Sequence, residues 1–176
     1  MIETQHTFAI DTTIDNVWDY VKDMQRWADI FPGCRECTVV DANESRWVIK
    51  VGVGGLVRTV NVHVNVAKWD GPGRVDFSYK LAAEPVVGSG SYHAVPKGPL
   101  ETEVTLQVQV AGSGQMAPMW EAMCRPLLPQ LAKSFGNALK SEIEQIAGVA
   151  VESRKPSFLA RIVNWLRSLW RAIAGK

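Results

Sequence analysis

Residues 105–127 read TLQVQVAGSGQMAPMWEAMCRPL, and inside this stretch the apolar period changes. Up to Val110 apolar and polar residues alternate, the period of a strand with one wet face. Beyond Ala111-Gly112-Ser113-Gly114 the period is helical. Met119, Trp120, Met123, Leu127, Leu131, Phe135, Leu139, Ile143 and Ile146 recur every three or four residues, enough for about eight turns of one amphipathic helix. A helix of that length must lay its apolar stripe on a sheet. Pro126 and Pro129 fall in its first half, where a kink or a late regular start is expected.

The sheet is legible upstream. Everything from Cys34 to Val110 reads as strand: RWVIKVGV runs to Gly54-Gly55, and LVRTVNVHVNVAKW follows, with Val60, Val62, Val64 and Val66 on one face and Asn61, His63 and Asn65 on the other. Asp70-Gly71-Pro72-Gly73 is the next turn. RVDFSYKL then points Val75, Phe77, Tyr79 and Leu81 inward, Gly88 to Val95 is a weaker strand, and Lys97-Gly98-Pro99 turns into TEVTLQVQV. The pattern is a meander of about six strands. TQHTFAI, before it, is one strand more. Two short helices lie between, one holding Val17, Trp18, Tyr20 and Val21 behind the caps of Asp11 to Asp15, the other DMQRWADIF, stopped by Pro32-Gly33.

With 176 residues, 47% of them hydrophobic, the chain can bury one core and carry an appendage. MIETQHTFAID lacks the basic and apolar regions of a secretory signal, and no stretch of about 18 uncharged apolar residues occurs, so a cytoplasmic body is expected. Cys34, Cys37 and Cys124 are an odd number, which argues against a disulfide framework. The lone Cys34-x-x-Cys37 has no second pair to complete four zinc ligands, and ordinary thiols are the expectation. Nucleophile elbow, zinc-protease, Walker and dinucleotide motifs are missing, and Gly88-Ser89-Gly90 and Gly52-Val53-Gly54-Gly55 are read as bends in strands, not phosphate cradles. His6, His63 and His93 fall in strands without an acid or nucleophile at a suggestive spacing, so structural roles are expected.

The order of strand, two short helices ending in Pro-Gly, meander and long helix resembles the helix-grip fold of the START-like (SRPBCC) superfamily: an α+β architecture, an antiparallel sheet of six or seven strands wrapped around a C-terminal helix. More narrowly, IDNVWDYVKDMQRWADIFPGC, VGVGGLVRTVNVHV and AGSGQMAPMWEAMCRPLL resemble the carbon monoxide dehydrogenase G-subunit family, with the Phe31-Pro32-Gly33-Cys34 box the most specific element. Asn61 departs from the small residue that family leads one to expect. The resemblance covers residues 1 to about 148 and implies a cavity between sheet and helix. Ligand contacts are then expected from Trp27, Phe31 and Pro32 near the mouth, from Phe77 and Tyr79 on the sheet, and from Met116, Met119, Trp120, Met123 and Leu127 on the helix. Methionine suits a wall that must accept a bulky apolar guest, with plain core packing the alternative for these residues, and Tyr79 is read either as a hydroxyl that orients a carbonyl or as plain core.

The chain ends in SFLARIVNWLRSLWRAIAGK. At about 100° per residue, Phe158, Ile162, Trp165, Leu166, Leu169, Trp170 and Ile173 gather on one arc, and Arg161, Asn164, Arg167, Ser168 and Arg171 on the other. Three arginines, each costing about 2.5–3.5 kcal/mol in a bilayer centre, exclude a spanning helix. An interfacial helix on anionic lipid fits, and a helix folded back on its own domain is the alternative. Six of the nineteen basic residues follow Glu152 with no acid among them, so in the rest of the chain eighteen acids outweigh thirteen bases. The expected organisation is a domain over 1–150, a linker over 151–156 and an amphipathic membrane-associating helix over 157–176.

The expected function is that of a non-enzymatic carrier, cytoplasmic and peripheral on the inner face of the cell membrane. It would hold a lipophilic small molecule, a respiratory quinone (menaquinone or ubiquinone), with no covalently bound cofactor, no metal and no nucleic-acid partner. The resemblance implies an aerobic carbon monoxide dehydrogenase, or a related molybdenum hydroxylase, as partner. A recruitment adaptor without ligand and an aromatic polyketide cyclase are the two rival expectations.

Overall fold

The structure, a computed structural model, describes residues 1–53 and 56–148; the expected linker and tail helix lie outside the described residues. The elements in chain order are β1 (Ile2–Ile10), α1 (Ile14–Val21), α2 (Met24–Ile30), β2 (Cys34–Val39), β3 (Glu44–Val53), β4 (Leu56–Asp70), β5 (Arg74–Leu81), β6 (Val86–Gly98), β7 (Glu101–Gly112) and α3 (Ala117–Ile146). The seven strands form one sheet in the order β1-β7-β6-β5-β4-β3-β2. Every neighbouring pair is antiparallel. This is the α+β helix-grip arrangement that the resemblance implies, with the long helix where the change of period puts it.

Hairpin turns fix the meander, and alternation fixes its face. On β4, Val62, Val64 and Val66 are buried while Asn61 and Asn65 are exposed, so the departure at Asn61 leaves the inner face untouched. A single slip in register would have turned the valines to water. Between β1 and β2 the two short helices bridge the edges of the sheet. Thr13 caps α1 by accepting from the Asn16 amide at 3.3 Å, and Asp23 caps α2 by accepting from the Gln25 amide at 2.9 Å.

Helix α3 runs unbroken through Pro126 and Pro129, so the late start expected there does not occur. Each proline removes a hydrogen bond to the carbonyl four residues back, Ala122 and Arg125. Both prolines and Ala122 and Arg125 lie on the outer side of the helix, partly or fully exposed, which leaves the freed carbonyls to water. Further along, α3 is tied to the end of β1 through buried Glu144, which accepts from the Asp11 amide at 2.8 Å and from the Lys140 ammonium one turn away.

Candidate ligand-binding site

Sheet and helix do not close on each other completely. Between the inner face of β3 to β7 and α3 lies a cavity of about 210 Å³. Its floor is built from alternate strand positions: Ile49 and Val51 on β3, Val60, Val62 and Val64 on β4, Leu106, Val108 and Val110 on β7. An apolar cavity of about 150 Å³ already admits benzene. This one is wide enough for a larger ring system.

The end nearest α2 is aromatic. Gly33 adopts φ +81°, and a Cβ there would meet the Lys50 carbonyl at 2.2 Å, so the turn after α2 requires glycine. Lys50 in turn donates its amide to the Gly33 carbonyl at 2.8 Å. The Phe31-Pro32-Gly33 turn thereby fixes Phe31 between Trp47, 5.5 Å between centroids, and Phe135 on α3, 5.8 Å. Trp27 is 5% exposed, donates to the Val21 carbonyl at 2.6 Å and packs edge-on to Phe77 at 5.8 Å. It is a buried residue of the cavity wall.

Gly88 and Gly90 lie within β6, strand glycines as expected from the sequence, paired with Tyr79 and Phe77 of β5. A Cβ on Gly88 would fall 2.2 Å from the Tyr79 ring, and one on Gly90 2.4 Å from that of Phe77. The bare backbone lets both rings lie flat across β6. Tyr79 crosses the strand and donates its hydroxyl to the Gln109 carbonyl of β7 at 2.8 Å, so its hydroxyl is engaged by the sheet. Tyr92, two positions beyond Gly90 and 2% exposed, also lines the cavity. Burial pushes both phenols well above the usual tyrosine range, with the Cys124 thiol adding to the effect on Tyr79.

On the helix side Trp120, Met123, Cys124, Leu127, Leu128, Leu131 and Phe135 complete the wall. Three expected residues are not part of it. Met116 and Met119 are 50% and 45% exposed: Met116 is the N-cap, before the first helical residue, and Met119 stands about 100° around the helix from its buried neighbour Trp120. Pro32 shapes the turn that holds Phe31 and does not reach the wall. A small recess adjoins the cavity at the start of α3, sharing Val51, Val60, Trp120, Met123 and Leu127 and adding Arg58. The Arg58 guanidinium stands 5.9 Å over the Trp120 ring and pairs with Glu84 at 3.4 Å.

The lining residues include no Asp, Glu, His, Lys or Arg. Its polar side chains are the two phenols, the Ser91 hydroxyl, the indoles and the Cys124 thiol, which burial raises above its ordinary range. Sequence reasoning missed the valines of β4, the leucine and valines of β7, Tyr92 and Trp47, although the period-two alternation marks the strand positions. Elsewhere, His6 stacks on Phe8 at 5.4 Å, and His93 is exposed. Among the described residues no three His, Cys, Asp or Glu side chains are grouped as metal ligands, and no helix is long and apolar enough to cross a membrane.

A family model described as polyketide cyclase / dehydrase and lipid transport matches residues 1–137. None of the functionally curated proteins matches the chain. Among solved structures, a conserved protein from Geobacillus kaustophilus aligns with TM-score 0.70 and 14% identity, covering 82% of this chain and 96% of that one. A START superfamily protein from Mycobacterium smegmatis aligns with TM-score 0.63 and 14% identity, covering 82% and 98%. The di-domain aromatase/cyclase BexL of the BE-7585A biosynthetic pathway aligns with TM-score 0.63 and 23% identity over 84% of this chain and 48% of its own length. At these identities the likeness is one of fold.

Proposed function

The chain belongs to the polyketide cyclase / dehydrase and lipid transport family, and on that premise we propose that it is a carrier of a lipophilic ring compound. The observation that carries this reading is the cavity of about 210 Å³ whose lining residues include no charged side chain. Burying apolar ligand surface there is worth about 25 cal/mol per Å², and the absence of charges from the wall favours holding a guest over transforming it.

The ligand in this reading is a respiratory quinone, menaquinone or ubiquinone, with its ring among Phe31, Phe77 and Trp47 and its isoprenoid chain along α3. Such a chain is too insoluble to leave a bilayer unaided. The carrier delivers the quinone to an aerobic carbon monoxide dehydrogenase or a related molybdenum hydroxylase, the partner implied by the resemblance of the Phe31-Pro32-Gly33-Cys34 box and the entry to α3. Residues 157–176 supply the attachment to anionic lipid at the inner face of the membrane. The domain itself is not an enzyme in this reading.

Native mass spectrometry of the protein purified from its own host, with identification of the released lipid, tests the proposal. A stoichiometric quinone is the expected result. Protein that is empty as isolated and takes up no quinone would leave the recruitment adaptor, and turnover of a poly-β-ketone chain would establish a cyclase.

A further inference from the structure

Among the described residues two buried side-chain polar atoms have no hydrogen-bond partner, His6 Nε2 and the Tyr92 hydroxyl. His6 is not among the residues that line the cavity; Tyr92 is. A buried hydroxyl left unpaired costs about 1–3 kcal/mol, and the protein had a cheap remedy, since phenylalanine would fill the same volume. Tyr79 provides the comparison. It lies on the neighbouring strand, lines the same cavity, and spends its hydroxyl on Gln109. The wall thus holds one satisfied phenol and one unsatisfied phenol.

We propose that Tyr92 is the polar anchor of the cavity, donating its hydroxyl proton to the carbonyl oxygen of a neutral lipophile. This rests on the carrier reading and adds the ligand's chemical class to it. β6 places Tyr92 between Val75 of β5 and Leu106 of β7, so its surroundings on the sheet are apolar and supply no competing acceptor. Burial raises the phenol pKa, which keeps the proton on the oxygen throughout the neutral range. Carboxylates and phosphates are excluded by the same wall, because none of its residues is cationic and an unpaired buried anion is expensive. The guanidinium of Arg58 is at the adjoining recess and already paired with Glu84. What remains is an uncharged ring compound with an exocyclic oxygen.

The test compares two shape-matched probes, 2,3-dimethyl-1,4-naphthoquinone and 2,3-dimethylnaphthalene, in displacing the neutral dye N-phenyl-1-naphthylamine. Both reactive ring positions of the quinone are blocked by methyl groups, which protects it from the Cys124 thiol. The Tyr92→Phe variant of the full chain is expected to bind the quinone about 5- to 150-fold more weakly, the range for a buried acceptor left without its partner, and the hydrocarbon within about twofold of the parent. Its melting temperature without ligand should be unchanged or higher, because the hydroxyl removed was unpaired. Tyr79→Phe, the control, should leave the ratio of the two affinities unchanged. Equal effects of Tyr92→Phe on both probes, or none on either, would overturn the anchor while leaving the carrier standing. A parent protein that binds neither probe would overturn the carrier reading and the anchor with it.

Discussion

Tyr79 on β5 and Gln109 on β7 are joined across the strand between them: the phenol lies over the backbone of Gly88 and donates to the Gln109 carbonyl at 2.8 Å. Gly88→Ala would set a methyl 2.2 Å from the Tyr79 ring and 2.4 Å from that carbonyl. The ring must move and its hydrogen bond breaks. The expected loss is about 2–4 kcal/mol in urea unfolding, an overpacking cost of about 1–3 plus a hydrogen bond of about 1. Tyr79→Phe, which keeps the ring, should cost only about 1 kcal/mol. A Gly88→Ala protein as stable as its parent would mean the ring is not held there.

Met119 and Met123 are separated by one turn and by their surroundings. Met123 lines the cavity, whereas Met119 is 45% exposed. Met123→Trp should therefore fill empty space, leave the melting temperature of ligand-free protein near normal and abolish uptake of a short-tailed quinone analogue. Met119→Trp should change neither stability nor uptake. In a filled core the Met123 variant would instead lose about 1–3 kcal/mol through strain, and that result would remove the open cavity.

These two methionines also mark how far the sequence is legible. Strand count, the order of elements and the long helix follow from period alone, since each depends on apolar residues being covered. The Phe31-Pro32-Gly33 turn is readable because only glycine fits its backbone. The edge of the helix stripe is not. Trp120, Met123, Leu127, Leu131, Phe135 and Leu139, all picked out by the period, line the cavity. Met119 fits the three-and-four rule equally well and is 45% exposed, because how far the buried arc extends depends on how α3 meets the sheet. The same holds for Gly88 and Gly90, whose role is set by rings on the neighbouring strand and so by register. That Tyr92 lacks a partner while Tyr79 has one is a matter of three dimensions, with no trace in local sequence.

Cys37 is half-buried, and its thiol pKa is pushed up to about 11, first by burial and then by the neighbouring Cys34 thiol and the carboxylates of Asp29 and Asp23. Each of these disfavours the thiolate, so the proton is held to higher pH. The expected iodoacetamide rate at pH 8 is about a hundredfold below that of a thiol of pKa near 9, because only the thiolate attacks. Its logarithm should climb one unit per pH unit past pH 9. Peptide-level mass spectrometry across pH 7 to 10.5 measures this. A plateau below pH 9 would point to a lowered pKa, as a redox Cys-x-x-Cys requires, and would reverse the reading of these cysteines as ordinary thiols.

The last expectation concerns residues 157–176, where the case is carried by sequence. If Phe158, Ile162, Trp165, Leu166, Leu169, Trp170 and Ile173 enter a headgroup layer, then Arg161, Arg167 and Arg171 face anionic lipid, each worth about 1 kcal/mol. Replacing the three by glutamine, nearly as good a helix former, should weaken binding to phosphatidylglycerol vesicles by about a hundredfold. Binding to neutral phosphatidylcholine vesicles should scarcely change. Raising the salt, which shortens the Debye length from about 10 Å at 0.1 M to about 3 Å at 1 M, should mimic the triple substitution. Truncation before Phe158 should abolish binding to both vesicles and leave the melting temperature of the domain unaltered. Should the truncated protein co-sediment with vesicles as well as the full chain, the attachment lies on the domain and not on the tail. Should truncation instead lower the melting temperature, the apolar arc packs on the domain, which is the folded-back alternative.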